Sequence, residues 1–404
     1  MTVLSLFDGM SCGQIALRDM GIHITRYYAS EVDKFAIQQT QLNFPDTIQL
    51  GDVRGVDARK LGHIDLLIGG SPCQSFCFAG KRAGMSTTTN EKIVTLSRYM
   101  ELKQGGFEFE GQSYLFWEYM RVLNQVRETS PDVFFMLENV EMGRRWENVI
   151  NEAIGVKGVR INSALVSAQV RKRIYWTNIR TFQANMFGPP ESAIPQPKDR
   201  GILLKDILEN DVSARFYLKQ KTIEKLLLHK QTNKANGNGF GAKFHNEGCK
   251  MSTIRVKGKS MYDLVCVAQR GRGSKGETTQ QLEQAPQAGK SNCLTTVTKD
   301  NMILQRPRGA NKGGLHADKS PTLSASAWEQ NNVMAETENS TAIRIRRLTP
   351  LECARLQTIP HWYKWNVSET QQYKMLGNGW TIEVIKHIFS FLPFSQLTPQ
   401  TKKH

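Results

Sequence analysis

The chain has no apolar run approaching the roughly 18 residues a membrane span needs, and no charged-then-apolar leader follows Met1. A protein that stays inside the cell is therefore expected. Cysteine is sparse, with seven at positions 12, 73, 77, 249, 266, 293 and 353. An odd, scattered set excludes a disulfide frame, and no Cys-x-x-Cys or Cys/His cluster has zinc spacing, so a reducing compartment and no metal are expected. Acidic residues are few, 37 against 53 lysines and arginines, which leaves a net charge of +16. The shortage is local: residues 1–170 hold 17 basic and 19 acidic residues, and 171–404 hold 36 and 18. An excess confined to the C-terminal part points to a polyanion partner met through salt-dependent phosphate contacts; a merely soluble basic surface is the other reading.

The N-terminal part alternates short apolar runs with loops and helical patterns. Thr2 to Phe7 reads as a strand, Asp8-Gly9-Met10-Ser11-Cys12-Gly13 as a glycine loop, and Gln14 to Met20 as a helix. Such a loop lets a ligand approach the backbone while helix N–H groups face it, in many nucleotide folds. A second strand, Arg26 to Ala29, leads to Glu31, and a third, Thr47 to Leu50, leads to Gly51-Asp52-Val53. Glu31 could take both hydroxyls of a ribose and Asp52 an adenine amino group; taken singly, each reads equally well as a surface acid after a strand.

The run Ile64 to Ile68 predicts a buried strand, after which Gly69-Gly70-Ser71-Pro72-Cys73-Gln74-Ser75-Phe76 sets a cysteine on a tight turn. At the C-terminal mouth of an α/β sheet that thiol is a candidate nucleophile; a structural cysteine is the plainer alternative. Cys77 reads as small loop packing. Another apolar strand, Asp132 to Leu137, delivers Glu138-Asn139-Val140 to the same edge, where an acid can serve as a general acid. Arg171 and Arg173 in Gln169-Val170-Arg171-Lys172-Arg173 share one face of an extended segment, placed to orient a carboxylate and a phosphate or to sit in water.

In this order the motifs resemble the C5-cytosine DNA methyltransferase family. The likeness lies in Phe7 to Gly13, Gly70-Ser71-Pro72-Cys73-Gln74, Glu138-Asn139-Val140, Gln169 to Arg173, Arg347-Leu348-Thr349-Pro350-Leu351-Glu352 with Arg355-Leu356-Gln357, and Gly377-Asn378-Gly379. It covers residues 1 to about 180 and about 342 to 393. Leu6 to Gly9, Ala29-Ser30-Glu31-Val32 and Gly51-Asp52-Val53-Arg54 are most similar to the animal de novo branch, as is Trp380, whereas the long middle segment looks like that of a bacterial or phage enzyme. The resemblance implies an α/β doubly wound, Rossmann-like, S-adenosylmethionine-dependent catalytic domain at 1–182 plus 341–404. A second, smaller, irregular β-rich target recognition domain is expected at 183–340. Double-stranded DNA is the implied partner, in a prokaryotic or phage-infected cytoplasm, with room for a cognate restriction nuclease.

The resemblance also implies roles. Cytosine C5 is too weak a nucleophile to take a methyl group, so the Cys73 thiolate adds first at C6 of a base swung out of the duplex. Glu138, as a carboxyl group kept protonated by its site, relieves charge at N3. Asn139 holds the loop, and Arg171 and Arg173 orient Glu138 and touch the base or its phosphate. For the cofactor, Glu31 takes the ribose, Val32 the adenine face and Asp52, beside Val53, the amino group. Phe7, Gly9, Met10 and Ser11 line the methionine side, Pro72 and Leu115 the floor, and Asn378 and Trp380 arrive from the C-terminal segment. Gln74, Ser75, Lys81 and Arg82 near the nucleophile, and Arg270 and Arg272 in the loop Gln269 to Gly273, are expected on DNA.

Two features stand apart from the family pattern. Met85 to Gln112 intervenes where relatives pass in about ten residues from the glycine-lysine-arginine turn, here Gly80-Lys81-Arg82, to the next helix, Tyr114 to Glu128. An active-site loop of this length is functional or mobile, and a helical middle at Glu91 to Leu102 and a cover that closes over the base are expected. The middle segment carries a loose repeat at Lys250, Lys290 and Lys319, each followed by an apolar strand, which reads as DNA-facing hairpins or as chance. A transfer RNA cytosine methyltransferase of the same fold lacks such a middle domain and carries a Cys-Phe-Thr signature absent here. A nucleotide-linked oxidoreductase explains the glycine loop and Glu31 but neither Glu138-Asn139-Val140 nor the basic half.

Overall fold

The computed structural model describes residues 1–72, 85–87, 91–184, 186, 188–203, 206–209, 212–216, 333–337 and 343–393. Cys73, Gln74, Ser75, Lys81, Arg82, Arg270, Arg272 and the three-fold lysine repeat lie outside the described residues.

Seven strands form one sheet: β1 (Thr2–Leu6), β2 (Arg26–Ser30), β3 (Ile48–Gln49), β4 (Leu66–Gly70), β7 (Phe134–Val140), β8 (Val159–Asn162) and β9 (Lys172–Thr177). Between β4 and β7 two short strands, β5 (Ser86–Thr87) and β6 (Phe109–Glu110), pair with each other. The order across the main sheet is β3-β2-β1-β4-β7-β9-β8. The first five strands are parallel, and β9 runs antiparallel to both its neighbours. Connections run outward from β1 to β3, then cross back to β4 on the far side of β1. That reversal opens a crevice at the carboxyl ends of β1 and β4, where doubly wound folds bind ligands.

The strands read as continuous apolar runs because both faces are covered. Val3, Tyr27, Ala29, Leu66, Ile68 and Met136 belong to one core, and Leu4, Leu6, Tyr28, Leu67, Phe135 and Leu137 to the other. This period of two sorts neighbouring residues to opposite faces. On the first face α1 (Cys12–Asp19) packs against α8 (Ile382–Phe389), so the C-terminal segment completes the N-terminal core. The second face carries α4 (Leu115–Thr129) and α5 (Arg144–Ile154). Among the described residues the remaining helices are α2 (Lys34–Asn43), α3 (Leu96–Gln104), α6 (Pro350–Leu356) and α7 (Glu369–Asn378). Thr349 and Glu352 close a reciprocal capping box at α6 with Pro350 in its first turn, as Thr-Pro-x-Glu predicts.

Some boundaries move from their expected places. β4 runs on through Gly69 and Gly70, and β7 through Glu138 to Val140, because ladder pairing carries on past the apolar run, Gly70 opposite Glu138. The helix expected at Glu91 to Leu102 starts only at Leu96, where Thr95 accepts the Arg98 N–H. Short strands β10 (Thr181–Phe182) and β11 (Glu191–Ser192) pair antiparallel, as do β12 (Val333–Thr337) and β13 (Ile343–Arg347). Ile194 and Ile207, which the expected boundary at 183 assigns to the second domain, are buried in the same core as α1 and α8, and Arg355 donates to the Ile207 carbonyl. Among the described residues no helix is long and apolar enough to cross a membrane.

Candidate active site

The carboxyl ends of β1, β2 and β3 form one wall of the crevice. The chain leaves β1 through Phe7, Gly9 and Ser11, all in the left-handed region (φ 57°, 58° and 66°). Backbone strain of this kind is retained where the surroundings over-determine it. Glu31, just past β2, supplies part of that constraint: Oε2 accepts the Gly9 N–H at 2.8 Å, and Oε1 accepts those of Val32 and Asp33 at 2.7 and 2.9 Å. Three backbone donors thus fix the carboxylate, and its remaining lone pairs can still accept hydroxyls. Val32 beside it is 70% exposed, an apolar side chain presented at the rim.

Asp52, after β3, caps the turn Val53–Gly55 by accepting the Arg54 N–H, and its carboxylate pairs with the Arg54 guanidinium, which holds it below the usual carboxylate range. Both side chains are exposed, so the pair contributes roughly 0–1 kcal/mol and yields easily to a ligand. Val53 is buried behind it.

Beneath the glycine loop lies Asp8. Its Oδ1 accepts the Tyr27 hydroxyl at 2.9 Å, and its Oδ2 is buried without a hydrogen-bond partner. Burial pushes this carboxyl up to about 6, against the nearby hydroxyls of Ser5, Ser11 and Tyr27 and with help from the Glu31 charge.

The opposite wall comes from β4, β7 and β9. Glu138 and Arg173 meet in a buried pair, Arg173 Nε to Glu138 Oε1 at 2.8 Å, across adjacent antiparallel strands. Asn139 donates to the Ser71 carbonyl and hydroxyl at 3.1 and 3.0 Å and accepts the Val140 N–H. Ser71 therefore has a fixed position two residues before Cys73. Gly70 is required: a Cβ there would lie 2.9 Å from the Trp380 ring nitrogen and 3.1 Å from Glu138 Oε2. Arg173 thus meets Glu138 as expected, while Arg171 donates from Nη2 to the Gly379 carbonyl at 2.8 Å and secures the C-terminal return.

That return brings Trp380, buried, against Gly70, and leaves Asn378 exposed. Trp380 N–H donates to Cys12 Sγ at 3.3 Å, and burial pushes the Cys12 thiol up to about 12, so this cysteine packs and accepts. Pro72 and Leu115 are half-buried at the ends of β4 and α4. Sequence reasoning missed Tyr363, whose buried hydroxyl donates to the Met10 carbonyl at 2.9 Å, and the chain Ser163–Thr381–Gln357, whose Gln357 also donates to Gly379 O at 3.1 Å. No local pattern marks these contacts, because the partners are 353 and 218 residues apart.

Residues 1–392 match the family model for C-5 cytosine-specific DNA methylase. The chain belongs to that family. It is 26% identical to the orphan methyltransferase M.SPRI of Bacillus phage SPR, across all of this chain and 99% of that one. It is 25% identical to the type II methyltransferase M.HpaII of Haemophilus parainfluenzae, over 95% of this chain and 87% of the relative. Among solved structures, a mutant of Spodoptera frugiperda DNMT2 superposes with a TM-score of 0.54 at 16% identity, over 97% of this chain and 99% of that chain. S. pombe Dnmt2 gives 0.53 at 14%, over 98% and 100%. These likenesses show the fold, the α/β methyltransferase fold expected from the motifs. The protein is thus a DNA (cytosine-5-)-methyltransferase by family, and the two walls are its candidate active site.

Proposed function

We propose that this methyltransferase takes its methyl group from S-adenosylmethionine and places it on C5 of a cytosine swung out of double-stranded DNA, through a covalent bond between Cys73 and C6. The observation that carries the reading is the second wall: a buried acid–guanidinium pair beside a turn whose position Asn139 fixes, two residues before a cysteine.

The first wall fits the cofactor. Glu31 has acceptor capacity for the ribose, Val32 offers an apolar surface for adenine, Asp52 sits on an easily opened pair, and the Phe7 to Ser11 turn exposes backbone to the methionine end. When bound, S-adenosylmethionine would supply an electrophilic methyl group.

This chain's residues do the rest. The Cys73 thiolate forms a bond to C6, and the electron pair of the C5–C6 double bond moves toward C5 and N3. Glu138 passes a proton to N3, and Arg173 beside it holds the carboxylate. C5, made nucleophilic in this way, would take the methyl group as the S–CH3 bond breaks and S-adenosylhomocysteine leaves. Loss of the C5 proton to water or a nearby base restores the double bond and releases the thiolate from C6. Asn139 keeps the Ser71-Pro72 turn in register, and Arg171 secures the segment carrying Trp380. We place target choice in the basic segment 183–340, with 23 basic against 15 acidic residues, Arg270 and Arg272 among them, since base contacts specify while phosphate contacts position.

Cys73→Ser should abolish methylation while binding S-adenosylmethionine as the wild type does. Wild type should form a denaturation-resistant adduct with DNA containing 5-fluorocytosine, whose C5 fluorine cannot leave as a proton. Turnover by the serine variant near the wild-type rate, or no adduct, would sink the covalent route.

A further inference from the structure

The insertion between Gly80-Lys81-Arg82 and α4 has a packed interior in its described part. α3 lies on α4 with Tyr99 and Leu102 buried, and Met85 and Ile93 join the same core. Phe109 stacks on Tyr114 with ring centroids 4.6 Å apart, and Tyr99 meets Phe109 at 5.1 Å with the rings tilted by 42°. At the centre is Glu118 of α4, fully buried. Its carboxylate accepts the Tyr99 hydroxyl and the Lys103 ammonium at 2.5 Å each and Arg121 Nε at 2.7 Å. Two of these three donors come from the insertion.

From Glu118 the contacts run to the cofactor wall. Arg121 donates from Nη1 to the Val56 carbonyl at 2.7 Å and from Nη2 to the Val53 carbonyl at 2.8 Å. Gln125 accepts from Arg121 and from the Ala58 N–H. The turn held this way is the one Asp52 caps. A buried carboxylate deprived of a donor is costly and rearranges its neighbours, so a donor lost from the insertion loosens Arg121 and, through it, the turn. The insertion holds three basic and four acidic residues, which makes it a poor surface for phosphate.

We propose that the 85–112 insertion is a built-in prop for the adenine side of the cofactor site, Tyr99 and Lys103 being positioning residues that act through Glu118 and Arg121 on the Asp52 turn. The inference rests on S-adenosylmethionine binding at that wall and adds what sets the wall's shape. It replaces the expectation of a cover that closes over the base.

The test uses the full chain with Tyr99→Phe and, separately, Lys103→Met. Hydrogen exchange of the Arg54, Gly55 and Val56 amides in the ligand-free protein should quicken about tenfold in each variant. Calorimetric titration should show S-adenosylmethionine and 5′-methylthioadenosine, which keeps only the adenosine half and the thioether, both weakened about tenfold, the size of one hydrogen bond to a charged group. The kcat at saturating cofactor and DNA should stay within about twofold of wild type. Unchanged exchange and affinities in both variants would overturn the proposal, as would a loss of kcat with cofactor affinity intact, which would place the insertion on the base side. If wild type binds neither ligand, the cofactor reading falls, and the exchange comparison still decides for or against the prop.

Discussion

The two walls of the crevice are built on opposite principles. On the β1–β2–β3 side the acids are held by backbone: Glu31 by three N–H groups and Asp52 by its own turn and an exposed arginine. On the β4–β7–β9 side the acid is held by another buried side chain, Arg173. Backbone donors survive most substitutions and leave the carboxylate with acceptor capacity, which suits reversible capture of a ligand. A buried charge pair fails when either partner goes, yet it fixes an acid in one orientation, which suits proton transfer. On the proposed function, binding and chemistry are separated across the seam between β1 and β4.

Substitutions on the two walls should therefore fail differently. The largest effect is expected from Arg173→Met, which leaves Glu138 buried without its cation; urea unfolding should show a loss of about 3–5 kcal/mol. A loss under 1 kcal/mol would mean that the pair is not the anchor of its wall. Next is Asp8→Asn. The fold raises the Asp8 carboxyl from 3.8 to about 6, so the neutral form is favoured: its contribution is complete below about pH 4 and is lost as pH rises through 6. The shift corresponds to about 3 kcal/mol. The difference in stability between variant and wild type should shift by about that amount, in favour of the variant, on going from pH 4 to pH 7; urea midpoints that run parallel across this range would show that Asp8 does not titrate in the fold.

Glu138→Gln comes third, slowing kcat by roughly 10²-fold with S-adenosylmethionine and DNA affinity nearly unchanged; equal losses in rate and DNA binding would make Glu138 a structural residue. The smallest is Glu31→Ala, which should raise the S-adenosylmethionine KM about tenfold, as for one or two lost hydrogen bonds, with kcat nearly constant. A fall in kcat with KM unaltered would dissolve the division between the walls.

What the sequence determined by itself was the order of strand, loop and helix, and the acids placed at strand ends. Parallel strands buried on both faces must be apolar throughout, and each must end in a turn at one edge, so Glu31, Asp52, Ser71-Pro72 and Glu138 were legible as neighbours along that edge. The family motifs then named their roles. Boundaries were less legible: β4 and β7 extend past their apolar runs because ladder hydrogen bonds, which no side chain advertises, continue.

Tertiary structure alone decided which groups complete the walls. Arg171 and Arg173 look equivalent in the sequence, two residues apart on one face. In the fold Arg173 reaches Glu138 because β9 is antiparallel to β7, whereas Arg171 reaches the Gly379 carbonyl. Tyr363 on the Met10 carbonyl, Cys12 beneath Trp380, and Tyr99 with Lys103 on Glu118 are likewise contacts between distant segments. Periodicity and spacing report local conformation and the face a residue occupies. Partners across a core depend on register, strand direction and the path of the returning chain, and those are settled only when the apolar faces close on each other.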